Sequence, residues 1–212
     1  MSEDTYKTIV ALSEGIYTEK RSKFIAIALP VRTVEEVKAH LETYQKKYYD
    51  ARHVCSAFVI GADRDVQRSS DDGEPAGTAG VPMMQALLAR QTREDGTTDL
   101  SDVVAVVVRY FGGIKLGAGG LVRAYTDAVV QTLDSAQFDS RERLRVGEVP
   151  SSHAEAGRLE NEMRAAGLNV LGTEYGAEGA VISVGVFDRA EELSRAEELV
   201  VSLSSGAASV TW

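Results

Sequence analysis

Residues 100–120 run from an almost wholly apolar segment, LSDVVAVVVRY, straight into FGGIKLGAGG, and this junction limits the possible folds more than any other stretch. A strand whose consecutive side chains are nearly all apolar has no face for water, so 100–110 belongs at the centre of a sheet covered on both sides. The glycine segment that follows holds five of the chain's 19 glycines within nine positions, and it opens into 121–135, where apolar residues recur at helical spacing. Strand, glycine loop and helix follow one another. With 44% hydrophobic and 26% charged residues, the chain has the make-up of a globular protein rather than of a disordered or collagen-like one.

Upstream, 8–17 and 23–30 have strand composition on either side of the turn-like TEKRS and predict an opening β-hairpin. Thr33 with Glu36 makes a capping box for a helix over 34–49, and HVCSAFVI at 53–60 predicts a second doubly covered strand. His53, Cys55, Ala57 and Val59 share one face of it. Residues 61–80 show no periodicity and many turn formers, too long a stretch for a passive connector. A helix over 81–90 follows, with Pro82 in its first turn. From 143 onward the order is strand (143–149), helix (152–166), strand (168–175), strand (180–187), helix (189–202) and strand (206–212). That is the βαββαβ order of a ferredoxin-like domain. The fold class expected is therefore α+β in two domains, 1–140 and 141–212, at a length of 212 residues that suits two units.

Charge and cysteine content narrow the function. A formal net charge of −9 argues against a protein that coats nucleic acid by bulk attraction. Yet 103–126 carries Arg109, Lys115 and Arg123 and no carboxylate, a local positive field that would steer an anion there. The lone Cys55 and three scattered histidines give no Cys/His zinc cluster and no intramolecular disulfide, so a cytoplasmic setting is expected. The acidic, polar start does not resemble a signal peptide, and no apolar run approaches the length of a membrane span.

The chemistry-bearing residues leave alternatives open. A helix N-terminus offers unpaired N–H groups, and glycines let an anion approach them, so Gly117, Gly119 and Gly120 with Arg109, Lys115 and Arg123 form a candidate phosphate site. The same glycines could serve only a tight turn and close packing, and Arg123 could pair with Asp127. Asp71, Asp72 and Glu74 crowd three carboxylates into four residues and could bind Mg²⁺ or move protons, Asp72 and Glu74 foremost, or simply make a solvated turn. His53 could line an anion site beside Arg52. Arg21, in the basic turn KRSK before Phe24, could grip a nucleic-acid backbone or sit on a solvated hairpin tip.

DDGEPAGTAGVPM (71–83) and VVVRYFGGIKLGAGGLVRAY (106–125), with KRSKFIA (20–26) and ARHVCSAFV (51–59), resemble the blocks of the Impact family, the bacterial YigZ-like proteins. The resemblance runs over nearly the whole chain. It implies an amino-terminal domain like domain 2 of ribosomal protein S5 and a ferredoxin-like domain resembling domain V of elongation factor G. It further implies a link to translation regulation, since eukaryotic relatives regulate translation, although the amino-terminal RWD domain that they carry is not expected in this chain. The family has no established catalytic residues, so its motif positions transfer only as a candidate surface of Asp72, Glu74, Thr78, Arg109, Lys115, Gly117, Gly119, Gly120 and Arg123. The function expected is a non-enzymatic RNA- or ribosome-binding factor without a resident cofactor, with a protein partner in translation control as a further reading and no membrane association. The alternative is an enzyme acting on a nucleotide or phosphorylated small molecule at the same loop, with Asp72 or Glu74 holding a metal or a proton.

Overall fold

The apolar strand of the sequence is β6, Val103–Tyr110, the middle strand of an antiparallel five-stranded sheet. In the computed structural model, which describes residues 5–212, its neighbours are β3 (Ser22–Pro30) and β4 (His53–Ile60). Outside these lie the edge strands β2 (Ser13–Glu19) and β5 (Val66–Ser70). Alternation along β6 sorts its side chains into two cores. Val103, Ala105 and Val107 join Phe24, Cys55 and Ala57 beneath helices α2 (Gly80–Leu88) and α3 (Ala118–Asp134). Val104, Val106 and Val108 join Ile27, Val54 and Phe58 beneath α1 (Val34–Lys47). Thr33 caps α1 by accepting the Glu36 N–H at 3.2 Å, and the Glu36 carboxylate takes the Arg32 N–H at 2.7 Å.

Three features of the chain before 143 depart from the sequence expectations. The run 8–17 is broken after β1 (Thr5–Ile9), which pairs with β7 (Phe138–Glu142) in a separate two-stranded sheet, so the hairpin is β2–β3. β5 lies inside the stretch expected to be irregular; its sequence VQRSS sits on an exposed edge and needs no apolar alternation. The β2–β3 turn is two residues long, Lys20 and Arg21, both with positive φ (45° and 65°). Gly112 packs backbone to backbone against this turn: a Cβ there would lie 2.0 Å from the Arg21 carbonyl carbon, and the Gly112 N–H donates to Ser22 Oγ at 3.2 Å.

At the start of β6, Asp102 ties several elements together. Its Oδ2 accepts from the Tyr6 hydroxyl at 2.6 Å and from Arg141 Nη1 at 2.5 Å, and its Oδ1 from the Gly61 N–H at 3.0 Å. All of these lie in one compact unit, Tyr6–Arg141; the other comprises Glu142–Trp212 with Thr5.

The second unit runs β8 (Leu144–Ser151), α4 (Ala156–Ala165), β9 (Asn169–Tyr175), β10 (Ala180–Phe187) and α5 (Ala190–Leu203). Its sheet has the order β8-β10-β9, and an antiparallel bridge from Glu148 to Thr211 lays the end of the chain beside β8. The strand expected over 206–212 is thus reduced to a single bridge. Val149, Leu159, Met163, Val170, Ile182, Val184 and Val200 form its core.

Candidate functional site

The loop between β5 and α2 is built around Asp71. Its carboxylate accepts the N–H groups of Gly77 (2.8 Å), Ala79 (2.9 Å) and Gly80 (2.8 Å). Burial opposes its ionisation, but the three backbone donors outweigh it and hold the Asp71 pKa below the ordinary carboxylate value. Asp72 fastens the loop to β4: its Oδ2 accepts the Val54 N–H at 2.6 Å, and its carbonyl lies 2.8 Å from His53 Nδ1. Thr78 donates to the Pro75 carbonyl at 2.6 Å. The loop thereby turns Glu74 inward, where its side chain is only 3% exposed.

Glu74 meets groups carried by the sheet and by α3. Strand register sets Phe24 and His53 on either side of Arg109. Arg109 Nη1 donates to Glu74 Oε1 at 2.7 Å, and the guanidinium carbon lies 5.6 Å from the Phe24 ring centroid and 5.7 Å from that of Phe111. The same Oε1 accepts the Tyr125 hydroxyl at 2.8 Å. The Cys55 thiol donates to the Asp71 carbonyl at 3.0 Å and lies 3.4 Å from the Tyr125 oxygen. Burial pushes the Cys55 pKa up to about 12, so it is a neutral thiol at physiological pH and a poor nucleophile. Burial likewise raises Tyr125, with Cys55 and Glu74 adding to it, and keeps its hydroxyl a donor.

Beside this cluster opens a cavity of about 360 Å³, walled by His53, Glu74 and Arg109, by Arg52, Pro75, Phe111, Lys115 and Leu116, and by Gly117, Ala118 and Leu121 of the α3 entrance. Gly117 is the N-cap of α3, with φ 72° and no side-chain cap, and no acidic residue occupies the first turn. Nothing lies within 4 Å of where a Cβ would sit on Gly117 or Gly119. The α3 N-terminus therefore has the uncapped N–H groups and partial positive charge that favour an anion.

Among the residues singled out in the sequence, His53, Glu74, Arg109, Lys115 and Gly117 line one cavity, and Asp72 supports it from behind. The others lie elsewhere. Arg21 belongs to the β2–β3 turn against Gly112, Gly120 packs on Leu116, and Gly119 and Arg123 are exposed positions of α3 outside the cavity lining. The cationic trio is thus divided: Arg109 is paired with Glu74, Arg123 lies along the helix, and Lys115 remains at the cavity with Arg52. The three acidic residues are also divided, since Asp71 serves backbone donors, Asp72 serves Val54, and Glu74 serves Arg109 and Tyr125. Among the described residues, no group of three or more His, Cys, Asp or Glu side chains is placed to hold a metal ion. Phe111 and Tyr125 are site residues that the sequence reasoning misses, although Phe111 directly follows the Arg109–Tyr110 pair in the motif.

The family model of the Impact N-terminal domain matches residues 20–133. The IMPACT family member YvyE of Bacillus subtilis (strain 168) is 39% identical over 160 residues, 76% of this chain and 70% of YvyE. The IMPACT family member YigZ of Escherichia coli (strain K12) is 47% identical over 116 residues, 54% of this chain and 53% of YigZ. A crystal structure described as that of a hypothetical protein matches with a TM-score of 0.74 at 30% identity, covering 98% of this chain and 96% of the other.

Proposed function

The chain belongs to the IMPACT family, and on that premise we propose that it is a non-enzymatic factor linked to translation regulation, which binds RNA or the ribosome by gripping a phosphate group at the α3 entrance. One observation carries this reading: an uncapped helix N-terminus opens on the same cavity as Lys115 and Arg52, with glycine rather than side chains in the way. An acidic total of −9 suits a point grip better than a broad one, because phosphates elsewhere along a strand meet repulsion. In the same reading, 1–140 is the S5 domain 2-like part and 141–212 the ferredoxin-like part. The order Thr211 bridge, β8, β10, β9, with α4 after the first strand and α5 after the third, supports the latter.

The test is a binding titration against ribosomes, structured RNA and single-stranded RNA at two salt concentrations. Binding is expected to weaken with salt, and the double variant Arg52→Ala/Lys115→Ala should lose about tenfold or more in affinity. Equal binding by parent and double variant would overturn the proposal. A second reading is favoured by the cavity itself, whose volume of about 360 Å³ is of small-ligand size and whose wall holds the ionisable His53 and Glu74. There the site acts on a nucleotide or phosphorylated small molecule, and its mark is thermal stabilisation by one such compound without RNA binding.

A further inference from the structure

The hydrogen bonding of the wall formed by His53, Glu74 and Arg109 is incomplete at two atoms among the described residues: Arg109 Nε, buried and without an acceptor, and Glu74 Oε2, at the cavity. A carbonyl oxygen only accepts, so the 2.8 Å contact from His53 Nδ1 to the Asp72 carbonyl places the proton of the neutral ring on Nδ1. Nε2 is then a bare acceptor. Across from it, at 4.0 Å, stands Glu74 Oε2. Oε1 of the same carboxylate already takes both Arg109 and Tyr125, whereas Oε2 takes no donor among the described residues. A carboxylate 3% exposed thus turns toward the cavity an oxygen that no protein donor reaches, and the neighbouring His53 Nε2, itself an acceptor, has no hydrogen to offer it. Asp102, by contrast, has a donor on each oxygen.

Resting on the phosphate reading above, we propose that this gap receives the 2′-hydroxyl of a ribose whose phosphate lies at the α3 entrance, so that the site selects ribonucleotides over deoxyribonucleotides. The partner that Glu74 Oε2 lacks is a donor, and a neutral one, because Arg52, Arg109 and Lys115 line the same cavity and repel a metal ion or an ammonium group. A sugar hydroxyl a few ångströms from a phosphate ester meets both demands in one ligand. Pro75 and Phe111, the latter 53% exposed, add apolar surface on the same wall for a base to lie against. A hydroxyl bonded to a buried carboxylate discriminates strongly against the analogue that lacks it, because the carboxylate oxygen is then left unpartnered again.

The experiment compares one single-stranded sequence as RNA, as DNA and as 2′-O-methyl RNA, by fluorescence anisotropy with the full chain. The methyl ether keeps the sugar oxygen and removes the donor. RNA is expected to bind roughly ten- to a hundredfold more tightly than either of the others. A competition arm sets a ribonucleoside 5′-monophosphate against its 2′-deoxy form; preference for the ribo form, with no oligonucleotide bound, assigns the same chemistry to a free nucleotide. Glu74→Gln should erase the ribo preference, and if that variant fails to fold, the 2′-O-methyl comparison on the parent decides. Equal binding of all three oligonucleotides, lost in Arg52→Ala/Lys115→Ala, overturns the ribose assignment and leaves the phosphate reading standing. Failure of every oligonucleotide and nucleotide to bind overturns both.

Discussion

Two carboxylate–arginine–tyrosine groups stand at opposite ends of β6, made of the same parts and differing in completeness. Asp102, Arg141 and Tyr6 form one, and the Gly61 N–H takes the remaining carboxylate oxygen. Glu74, Arg109 and Tyr125 form the other, where both donors share Oε1 while Oε2 faces His53 and the cavity. Both tyrosines have raised pKa values, in each case chiefly from burial, Tyr6 to about 12. Residue type and burial therefore do not separate a cluster that ties elements together from one that faces a cavity. The count of donors on each carboxylate oxygen does.

The comparison breaks or sharpens under substitution. Arg109→Ala has the largest expected effect, since it strands a carboxylate 3% exposed; urea unfolding should show a loss of about 3–5 kcal/mol. Asp102→Ala should cost less, about 2–3 kcal/mol, because the side chain of Arg141 is 24% exposed and can turn to water. RNA binding by the folded Asp102→Ala protein should match the parent. Weakened binding there would end the distinction between the two clusters. Tyr125→Phe and Tyr6→Phe should each lose about 1–2 kcal/mol, with a change in RNA affinity only for Tyr125→Phe.

The smallest effect concerns Asp71, a carboxylate satisfied by backbone alone. Its pKa is lower in the folded chain than in the unfolded one, so its contribution is complete above the unfolded value and disappears as pH falls through the folded value. Asp71→Asn should therefore be less stable than the parent at neutral pH, and the gap should shrink in unfolding curves taken toward about pH 3. A gap independent of pH would mean that the three N–H groups hold the amide as well as the carboxylate.

Much of this arrangement is legible in the sequence. The apolar run at 103–108 places β6 at the sheet centre, and the period of two that buries Val103, Ala105 and Val107 carries Arg109 to the same face. His53, Cys55, Ala57 and Val59 follow the same rule on β4. The order of elements after 143 is also readable, because its helices and strands change period cleanly. The inward turn of Glu74 is not readable: DDGE has the composition of a solvated turn, and only the three backbone donors gathered on Asp71 direct the next acidic side chain into the protein. β5 and β7 carry no apolar alternation, Phe138 of β7 being the residue that packs on a main core, and the last strand shrinks to a bridge where Val210 and Trp212 fill the space over Gly147.

The contact between Gly112 and the Lys20–Arg21 turn bears on how the chain tolerates change in length. Hairpin tips are ordinarily where insertions and grafted segments are accepted with little loss. Here the tip is wedged under the loop that leads to α3, at a separation that leaves no room even for a methyl group on Gly112. A residue added between Lys20 and Arg21 would press on 112–117 and displace Lys115 and the helix entrance. The lengths of two segments some ninety residues apart, as the Gly112–Ser22 hydrogen bond measures them, are therefore set together rather than independently.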